Sequence, residues 1–146
     1  MNLSVTFIGS GPCESEIKKI YPLSKITGWL DKNEIEELLK TARCLVFPSN
    51  WYECQPLVVL ECMAKGIPCI SSKNCASSES VVENTTGLLF LNNNLTDLKK
   101  NLTKSQDDNY IKILSENAYK LYWSKTYKID EYVLKLINIY NEVLYS

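Results

Sequence analysis

Two glutamates, Glu53 and Glu61, are the residues of this chain whose type and spacing could do chemistry. Between them lies Pro56, which suits the first turn of a helix because its missing N–H would be unpaired there in any case. The helix predicted after it, Leu57–Ala64, is apolar at nearly every position except Glu61, a pattern typical of a helix buried on all sides. A buried carboxylate is costly unless something satisfies it. We therefore expect Glu61 to serve a ligand.

The start of this predicted helix suits an anion, because free N–H groups and a partial positive charge favour phosphate there. Glu61 lies five residues past Pro56, about 7.5 Å along the axis at 1.5 Å per residue. Glu53 lies at or before the cap. The arrangement fits a ligand with an anionic centre and hydroxyls on both sides, such as a nucleotide sugar. The alternative is a surface acid plus a helix acid that meets a lysine or a backbone amide.

The composition excludes several classes of function. The chain has 146 residues and a net charge of −1 with acids and bases interspersed, so we expect one domain and no nucleic-acid partner. No apolar run approaches the length of a membrane span, and the first residues lack a basic region before an apolar one. We expect a cytoplasmic protein. The absence of histidine removes most Ser-His and Cys-His nucleophiles and the commonest metal ligand.

The cysteines predict neither a disulfide framework nor a zinc site. They form no C-x-x-C pair and mostly fall in predicted strands and in the apolar helix, so we expect free buried thiols. The six are Cys13, Cys44, Cys54, Cys62, Cys69 and Cys75. No acidic cluster has the spacing of metal ligands either. We expect no metal and no other cofactor.

Strands that alternate with helices predict an α/β fold with a mostly parallel sheet. Strands are expected at residues 3–8, 26–30, 43–47, 68–71 and 87–91. Helices are expected at residues 14–20, 32–42, 57–64, 77–84 and 95–103. Asp31, followed by Glu34, predicts a capping box for the second helix.

The C-terminal part of the chain, residues 107–146, is helical by pattern. Its apolar residues recur at helical spacing and are predicted to pack in a core. They are Tyr132, Leu136, Ile139, Tyr140 and Val143. We therefore divide the chain into a Rossmann-like part, residues 1–106, and C-terminal helices, residues 107–146, that pack on the same domain.

Several motifs resemble those of retaining glycosyltransferases with the GT-B fold, in the family 4 or group 1 class. The segment Glu53-x7-Glu61 is similar to the glutamate-x7-glutamate motif of that family. The similarity continues through residues 68–72, 79–81 and 86–90, and upstream through residues 7–12 and 26–30. Together these blocks cover about ninety residues, which makes the match far more specific than one short pattern.

The resemblance implies the donor-binding, C-terminal half of such an enzyme: a Rossmann-like open sheet with helices on both faces and a C-terminal helical tail. Ligands of these sheets bind beyond the carboxyl ends of the strands. By resemblance, Glu53 is the catalytic residue and contacts the donor sugar, and Glu61 binds the ribose hydroxyls. The backbone amides of Leu57 and Val58 meet the sugar or the diphosphate.

The resemblance also assigns three loops to the donor. Gly9 and Gly11 lie in the first, and Gln55 lies in the loop at residues 49–55. The loop that holds Gly28, Trp29 and Leu30 runs along the base. The diphosphate leaves without being protonated, so the reaction needs charge stabilisation and exact placement rather than an acid/base pair.

The chain departs from the family pattern at two places and lacks part of it. Cys54 and Cys75-Ala76 stand where the family has glycines. In the family a first strand and helix, with an arginine and a lysine for the diphosphate, precede residue 3, and an acceptor domain precedes those. In a 3-2-1-4-5-6 strand order this leaves a slot between the first and third strands of the chain. Those strands pair directly, or another chain fills the slot, or the chain is truncated.

These considerations predict the donor half of a transferase that moves a sugar from a nucleotide diphosphate sugar to a glycan or lipid. Its partners are then the donor and an acceptor half, either the missing N-terminal domain or a separate chain. Any peripheral membrane association is expected through that half. The chain alone is expected to be weakly active or inactive. Two alternatives are a non-catalytic nucleotide- or sugar-binding module and a protein-interaction module of the same fold.

Overall fold

The computed structural model of the chain describes residues 3–51, 54–124 and 128–145. Its contacts divide the chain into two compact units, Met1–Ala42 and Arg43–Ser146. Both units are built from strands joined by helices, as the alternating pattern predicts.

The first unit is a pair of parallel strands with a helix after each. Its elements in chain order are β1 (Thr6–Phe7), α1 (Glu14–Ile20), β2 (Lys25–Ile26) and α2 (Lys32–Leu39). The capping box of α2 is confirmed, because the Asp31 carboxylate accepts a hydrogen bond from the Glu34 amide at 2.9 Å. In return the Asp31 amide donates to the Glu34 carboxylate at 2.8 Å. The two bonds fix where α2 begins.

The second unit is a three-stranded parallel sheet with helices on both faces. Its order is β3-β4-β5, with β4 in the middle. The elements are β3 (Leu45–Phe47), α3 (Leu57–Ala64), β4 (Cys69–Ser72), a short 3₁₀ helix (Ala76–Ser80), β5 (Gly87–Phe90), α4 (Leu95–Lys104), α5 (Asp108–Ser124) and α6 (Ile129–Tyr145). The predicted α/β fold class and the parallel sheet are confirmed.

Neighbouring residues of β4 supply opposite faces of the core. Cys69 packs with the buried residues of α3, and Ile70 packs with Leu88 and Phe90 of β5. Helix α5 contributes to both clusters, through Ala118 on one face and Leu114 on the other. Both faces of the sheet are therefore covered, as is typical of parallel sheets.

Helix α5 also binds the end of α3. The Trp123 indole N–H donates to the Ala64 carbonyl at 3.1 Å, and the Ser115 hydroxyl donates to the Gly66 carbonyl at 2.5 Å. These bonds satisfy carbonyls that a helix end leaves unpaired. The far end of α3 is thus fixed, and its beginning faces the carboxyl edge of the sheet.

Each unit has its own sheet. Within the described residues, β1 is hydrogen-bonded to β2 in the first unit, and β3, β4 and β5 form the sheet of the second. The three alternatives for the missing first strand stay predictions.

The predicted helix at residues 77–84 is wrong in its second half. The 3₁₀ helix ends at Ser80, and the chain then turns through Asn84, which adopts a left-handed φ of 59°. The Asn84 carboxamide oxygen accepts hydrogen bonds from Lys104 at 3.2 Å and from the Tyr110 hydroxyl at 3.0 Å. Asparagine tolerates this conformation better than most residues.

The predicted packing residues of α6 are mostly exposed. No side chain of α6 is buried, and Tyr132, Tyr140 and Val143 are 64%, 56% and 72% exposed. Ile139 is exposed as well, and Leu136 is half-buried. The apolar spacing predicted the helix correctly, but it did not predict that the helix lacks a neighbour to cover it among the described residues.

The division of the chain after residue 106 stays a prediction. No helix in the described residues has the length and apolar character needed to cross a membrane.

Replacing Gly87 with alanine is predicted to destabilise the second unit. A Cβ atom there would lie 2.3 Å from the Cys69 carbonyl oxygen and 2.8 Å from a methyl group of Val81. Because the oxygen belongs to the backbone of β4, it has little room to move. We expect a loss of at least about 2–3 kcal/mol in the free energy of unfolding. Thermal unfolding followed by circular dichroism measures it.

The matched control is Gly11→Ala, because a Cβ atom at Gly11 has no atom within 4 Å. We expect its unfolding free energy to change by less than about 0.5 kcal/mol. Equal stability of the two variants would contradict the close packing of β4 and β5.

Candidate functional site

The loops after β3, β4 and β5 leave the same edge of the sheet, because the three strands are parallel. Ligands of open α/β sheets bind at this carboxyl edge. Here the edge is formed by residues 48–51 and 54–56 of the loop before α3, the turn between β4 and the 3₁₀ helix, and residues 91–94 before α4.

Helix α3 begins at this edge without a side-chain cap. Its cap residue is the buried Pro56, whose carbonyl accepts from the Val59 amide at 3.2 Å. In the described part of the chain no side-chain cap bonds the first turn of α3. The amides of Leu57 and Val58 therefore point out of the helix start. The Leu57 side chain beside them is 66% exposed.

Glu61 is exposed, so the prediction that it is a buried carboxylate is wrong. Residues 59, 60, 62 and 63 of α3 are buried between the sheet and α5. Leu57, Glu61 and Lys65, four residues apart, form an exposed stripe on the remaining side. The apolar composition of α3 predicts burial on all sides, but composition does not show that the neighbouring elements cover only part of the helix. The carboxylate consequently remains hydrated and shares a stripe with the helix start.

The loop between β3 and α3 is held by side-chain hydrogen bonds near its beginning. The Trp51 amide donates to the Ser49 hydroxyl at 3.2 Å, and the Asn50 carboxamide donates to that of Asn93 at 3.0 Å. Trp51 itself is 76% exposed. The predicted catalytic residue, Glu53, lies outside the described residues.

Two further residues of this loop belong to the site prediction. Gln55, a predicted donor contact, is exposed just before the helix start. Cys54, which stands where the resembling family has glycine, is exposed too. The Cys54 side chain therefore lies at the surface of this loop.

The turn after β4 is also fixed by side chains. The Ser72 hydroxyl and the Asn74 amide both donate to the Asn92 carboxamide oxygen, at 2.5 Å and 3.1 Å. Cys75, which stands where the family has a glycine, is only 2% exposed. Its side chain packs in the core.

The glycine loops of the first unit lie side by side. The Gly9 amide donates to the Gly28 carbonyl at 2.9 Å. Both glycines adopt positive φ, 119° and 70°, which side chains disfavour. The two loops leave the same edge because β1 and β2 pair in parallel. Gly11 lies in the same turn, where its amide donates to Glu14 at 3.0 Å.

The other predicted residues of this unit are Trp29 and Leu30. Trp29 is 89% exposed, and Leu30 is half-buried. Leu30 lines a shallow cavity of about 580 Å³ between the end of β2 and α2. The lining residues are Lys25, Ile26, Thr27, Leu30, Glu34, Glu37 and Leu38.

The structure therefore brings together two sets of the predicted residues. Gly9, Gly11 and Gly28 share one hydrogen-bonded pair of loops in the first unit. Gln55 and the α3 residues Leu57, Val58 and Glu61 share one stretch of the second. Their roles as ligand contacts stay predictions. Sequence reasoning missed the asparagines that hold the edge; the signal was three consecutive asparagines, residues 92–94, directly after a strand.

The described residues include no group of His, Cys, Asp and Glu side chains that could hold a metal ion. The six cysteines are free thiols, and Cys62, Cys69 and Cys75 are buried. Burial raises the pKa of Cys62 from its ordinary value of 9.0 to about 12, and the nearby Glu61 carboxylate adds to the effect. Burial also raises the pKa of Cys69. The Cys62 and Cys69 thiols therefore stay protonated at neutral pH.

The fold is that of GT-B glycosyltransferases. Sucrose-phosphate synthase from Thermosynechococcus elongatus superposes with a TM-score of 0.78 over 95% of this chain and 38% of its own, at 22% sequence identity. HepE from Anabaena, solved in complex with UDP, superposes with a TM-score of 0.76 over 96% of this chain and 41% of its own, at 15% identity. Likenesses of this kind show a shared fold.

The chain belongs to the family of glycosyl transferases group 1, whose family model matches residues 2–121. It is 32% identical over 119 residues to the UDP-Gal:alpha-D-GlcNAc-diphosphoundecaprenol alpha-1,3-galactosyltransferase of Escherichia coli. This match covers 76% of the chain and 30% of that enzyme. The motif resemblance therefore identified the family correctly, and the matches are consistent with the C-terminal domain of such an enzyme. The chain spans less than half the length of these proteins.

The cysteines are predicted to fall into fast and slow classes when native protein meets a thiol reagent at neutral pH. The exposed Cys13 and Cys54 should react first. A rise in pKa from 9.0 to about 12 lowers the thiolate fraction of Cys62 roughly a thousandfold, and burial blocks access besides. Alkylation for increasing times, followed by peptide mass spectrometry, measures each site.

The same experiment in denaturant is the control, since all six thiols should then react at similar rates. Labelling of native Cys62 as fast as Cys54 would show that α3 is not packed as described.

Proposed function

We propose that this chain is the donor-binding half of a retaining glycosyltransferase that moves a sugar from a nucleotide diphosphate sugar to a glycan or lipid acceptor. The observation that carries the proposal is the start of α3. The amides of Leu57 and Val58, which have no side-chain cap among the described residues, lie on the same helix side as the exposed Glu61. Glu53, the other acid of the motif, precedes this helix in the sequence.

Each group has a distinct task in the proposed complex. The amides of Leu57 and Val58 donate to oxygens of the sugar or the diphosphate, where the helix dipole adds a partial positive charge. The Glu61 carboxylate, about 6 Å further along the axis, accepts hydrogen bonds from the ribose hydroxyls. Glu53 accepts a hydrogen bond from the donor sugar and is the proposed catalytic residue.

The proposed reaction breaks the bond between the anomeric carbon and the diphosphate oxygen and joins that carbon to an acceptor hydroxyl oxygen. The hydroxyl proton passes to the released nucleoside diphosphate or to water. The diphosphate leaves as an anion and needs no proton, so its developing charge must be stabilised by donors aimed at it. The start of α3 supplies such donors and is fixed in place before the donor arrives. Because these donors are backbone amides, we also propose that binding needs no metal. A cytoplasmic location stays a prediction.

The relatives support a nucleotide sugar as the ligand. The name of the Escherichia coli enzyme specifies UDP-galactose as its donor, and HepE has been solved with UDP. By this proposal the loop of Gly28, Trp29 and Leu30 runs along the base, and Gly9 and Gly11 stay predicted donor contacts. The wide exposure of Trp29 leaves its ring free to stack on a flat partner.

A second candidate function, binding of the donor without transfer, is favoured by one observation. Cys54 directly follows Glu53 at a position where the family has glycine, and its side chain is exposed on the donor loop. A side chain there takes up space that a glycine leaves to the sugar. The proposed transfer also requires the acceptor half of such an enzyme.

Glu61→Ala is predicted to weaken donor binding without loss of stability. The carboxylate is exposed in the ligand-free protein, so its removal should leave the melting temperature nearly unchanged. Hydrogen bonds to a charged group contribute about 1.5–3 kcal/mol, so affinity should fall roughly ten- to hundredfold. Calorimetric titration with UDP, GDP, ADP and their sugar conjugates measures the affinity and identifies the base.

Glu116→Ala is the matched control, because Glu116 is an exposed glutamate on α5 and outside the proposed site. It should bind the donor like the unchanged protein. Failure of the folded, unchanged chain to bind any nucleotide sugar would overturn the proposal. Equal affinity of all three proteins would remove Glu61 from the site. Binding by this chain with no transfer after the acceptor half is added would favour the second candidate.

A further inference from the structure

The loop between β3 and α3 is bonded to a residue that follows β5, on the far side of the sheet. Asn50 begins the loop that leads to Glu53 and α3, and its carboxamide N–H donates to the Asn93 oxygen at 3.0 Å. Asn93 follows β5, which is separated from β3 by β4. The bond thus joins two loops that are distant in sequence and leave the sheet at the same edge.

Asn93 adopts a left-handed φ of 56°. A glycine would take up this conformation without strain, whereas other residues disfavour it. A glycine, however, has no side chain to bind Asn50. Asparagine is one of the few residues that tolerates the conformation and also supplies an acceptor.

The turn that carries Asn93, residues 92–94, is itself fixed on both sides. On one side the Asn92 oxygen accepts from Ser72 and from the Asn74 amide, which ties it to the turn after β4. On the other side the Asn94 oxygen accepts from the Asp97 amide at 3.0 Å and caps α4. The side chain of Asn93 is therefore held at a defined place over the edge.

The loop between β3 and α3, which contains Asn50, needs such a contact to keep one conformation. Near its beginning, the Trp51 amide also donates to the Ser49 hydroxyl at 3.2 Å. Trp51 is 76% exposed, so burial of its ring does not fix the loop. A loop with few buried contacts is among the less stable parts of a protein. A ligand that must order such a loop binds with lower affinity, because the ordering costs free energy.

We infer that Asn93 is a positioning residue for donor binding: it holds the loop of Asn50 in place and does not touch the donor. The inference rests on the proposed function, because the loop binds the donor only if that function is correct. It adds a residue outside the glutamate motif, in the turn that follows the edge strand β5, which carries no predicted donor contact. Asn93 acts through Asn50 by reducing the freedom that the loop loses when the donor binds.

The test compares three single variants of the full chain. Asn93→Gly keeps the backbone conformation and removes the acceptor, and Asn93→Asp keeps an acceptor oxygen. Asn84→Gly is the matched control, since Asn84 has a φ of 59° and also accepts side-chain hydrogen bonds, but lies before β5 rather than after it. Calorimetric titration with the best-binding nucleotide sugar measures affinity, and thermal unfolding measures stability.

The expected result is a difference between the two glycine variants. Asn93→Gly should weaken donor binding about three- to tenfold, the range for loss of one neutral hydrogen bond. Asn84→Gly should leave the affinity unchanged, whatever it does to stability. Asn93→Asp should bind within about twofold of the unchanged protein because the bond from Asn50 is retained. Asn50→Ala combined with Asn93→Gly should be no weaker than either change alone.

A second measurement follows the loop itself. The protein has three tryptophans, and their indole N–H signals can be resolved by NMR and assigned by single Trp→Phe changes. Asn93→Gly should shift or broaden the signal of Trp51, next to Asn50, and leave that of Trp123 unchanged. Asn84→Gly should leave the signal of Trp51 unchanged.

The outcomes separate the inference from the proposed function. If the unchanged chain is folded and binds no donor, both are overturned. If it binds and Asn93→Gly binds equally well, the inference alone is overturned. Equal loss in the Asn93→Gly and Asn84→Gly variants would show a general loss of stability, and equal loss in Asn93→Asp would show that the acceptor oxygen is not what matters. Either result also overturns the inference.

Discussion

Burial of β4 on both faces is the constraint on which the second unit depends. Every residue of Cys69–Ser72 is buried, so helices must cover both sides of the strand. The chain reaches β4 from the parallel strand β3 through α3, and this crossover puts the start of the helix at the carboxyl edge. The edge therefore collects the start of α3 and the loops after all three strands. The candidate site is a consequence of how the central strand is buried.

The same constraint explains the polar groups inside the core. Ser71, Ser72 and Ser77 are fully buried, yet each hydroxyl has a partner. Ser71 bonds to Ser77, and Ser72 bonds to Asn92 beyond the end of β5. Buried hydroxyls with partners avoid the cost of desolvation and give the bonds a fixed direction. Small hydroxyl side chains thereby connect the interior of the sheet to its carboxyl edge.

Local patterns predicted the elements, because each depends on residues close in sequence. The capping box of Asp31 and Glu34 is complete within one turn, and Pro56 marks the helix start with its own ring. The alternation of strands and helices predicted the α/β class, and the motifs around Glu61 identified the family. Each of these signals is visible without knowing what lies across the core.

What the sequence could not show depends on contacts between distant residues. The exposure of Glu61 follows from which sides of α3 are covered by the sheet and by α5, and the apolar composition of α3 does not contain that information. The bond between Asn50 and Asn93 spans 43 positions. The asparagines after β5 looked like an ordinary turn because turns favour this residue for local reasons.

Helix α6 has a consequence for how the molecule behaves in solution. A helix with no buried side chain gains little from tertiary packing, and isolated helices of this length are only marginally stable in water. Helix α5, by contrast, has three residues in the core. Amide protons of α6 should therefore exchange with solvent far faster than those of α5, although both segments are equally helical in form. The chain thus joins two kinds of helix, one stabilised by the core and one whose order depends on its surroundings.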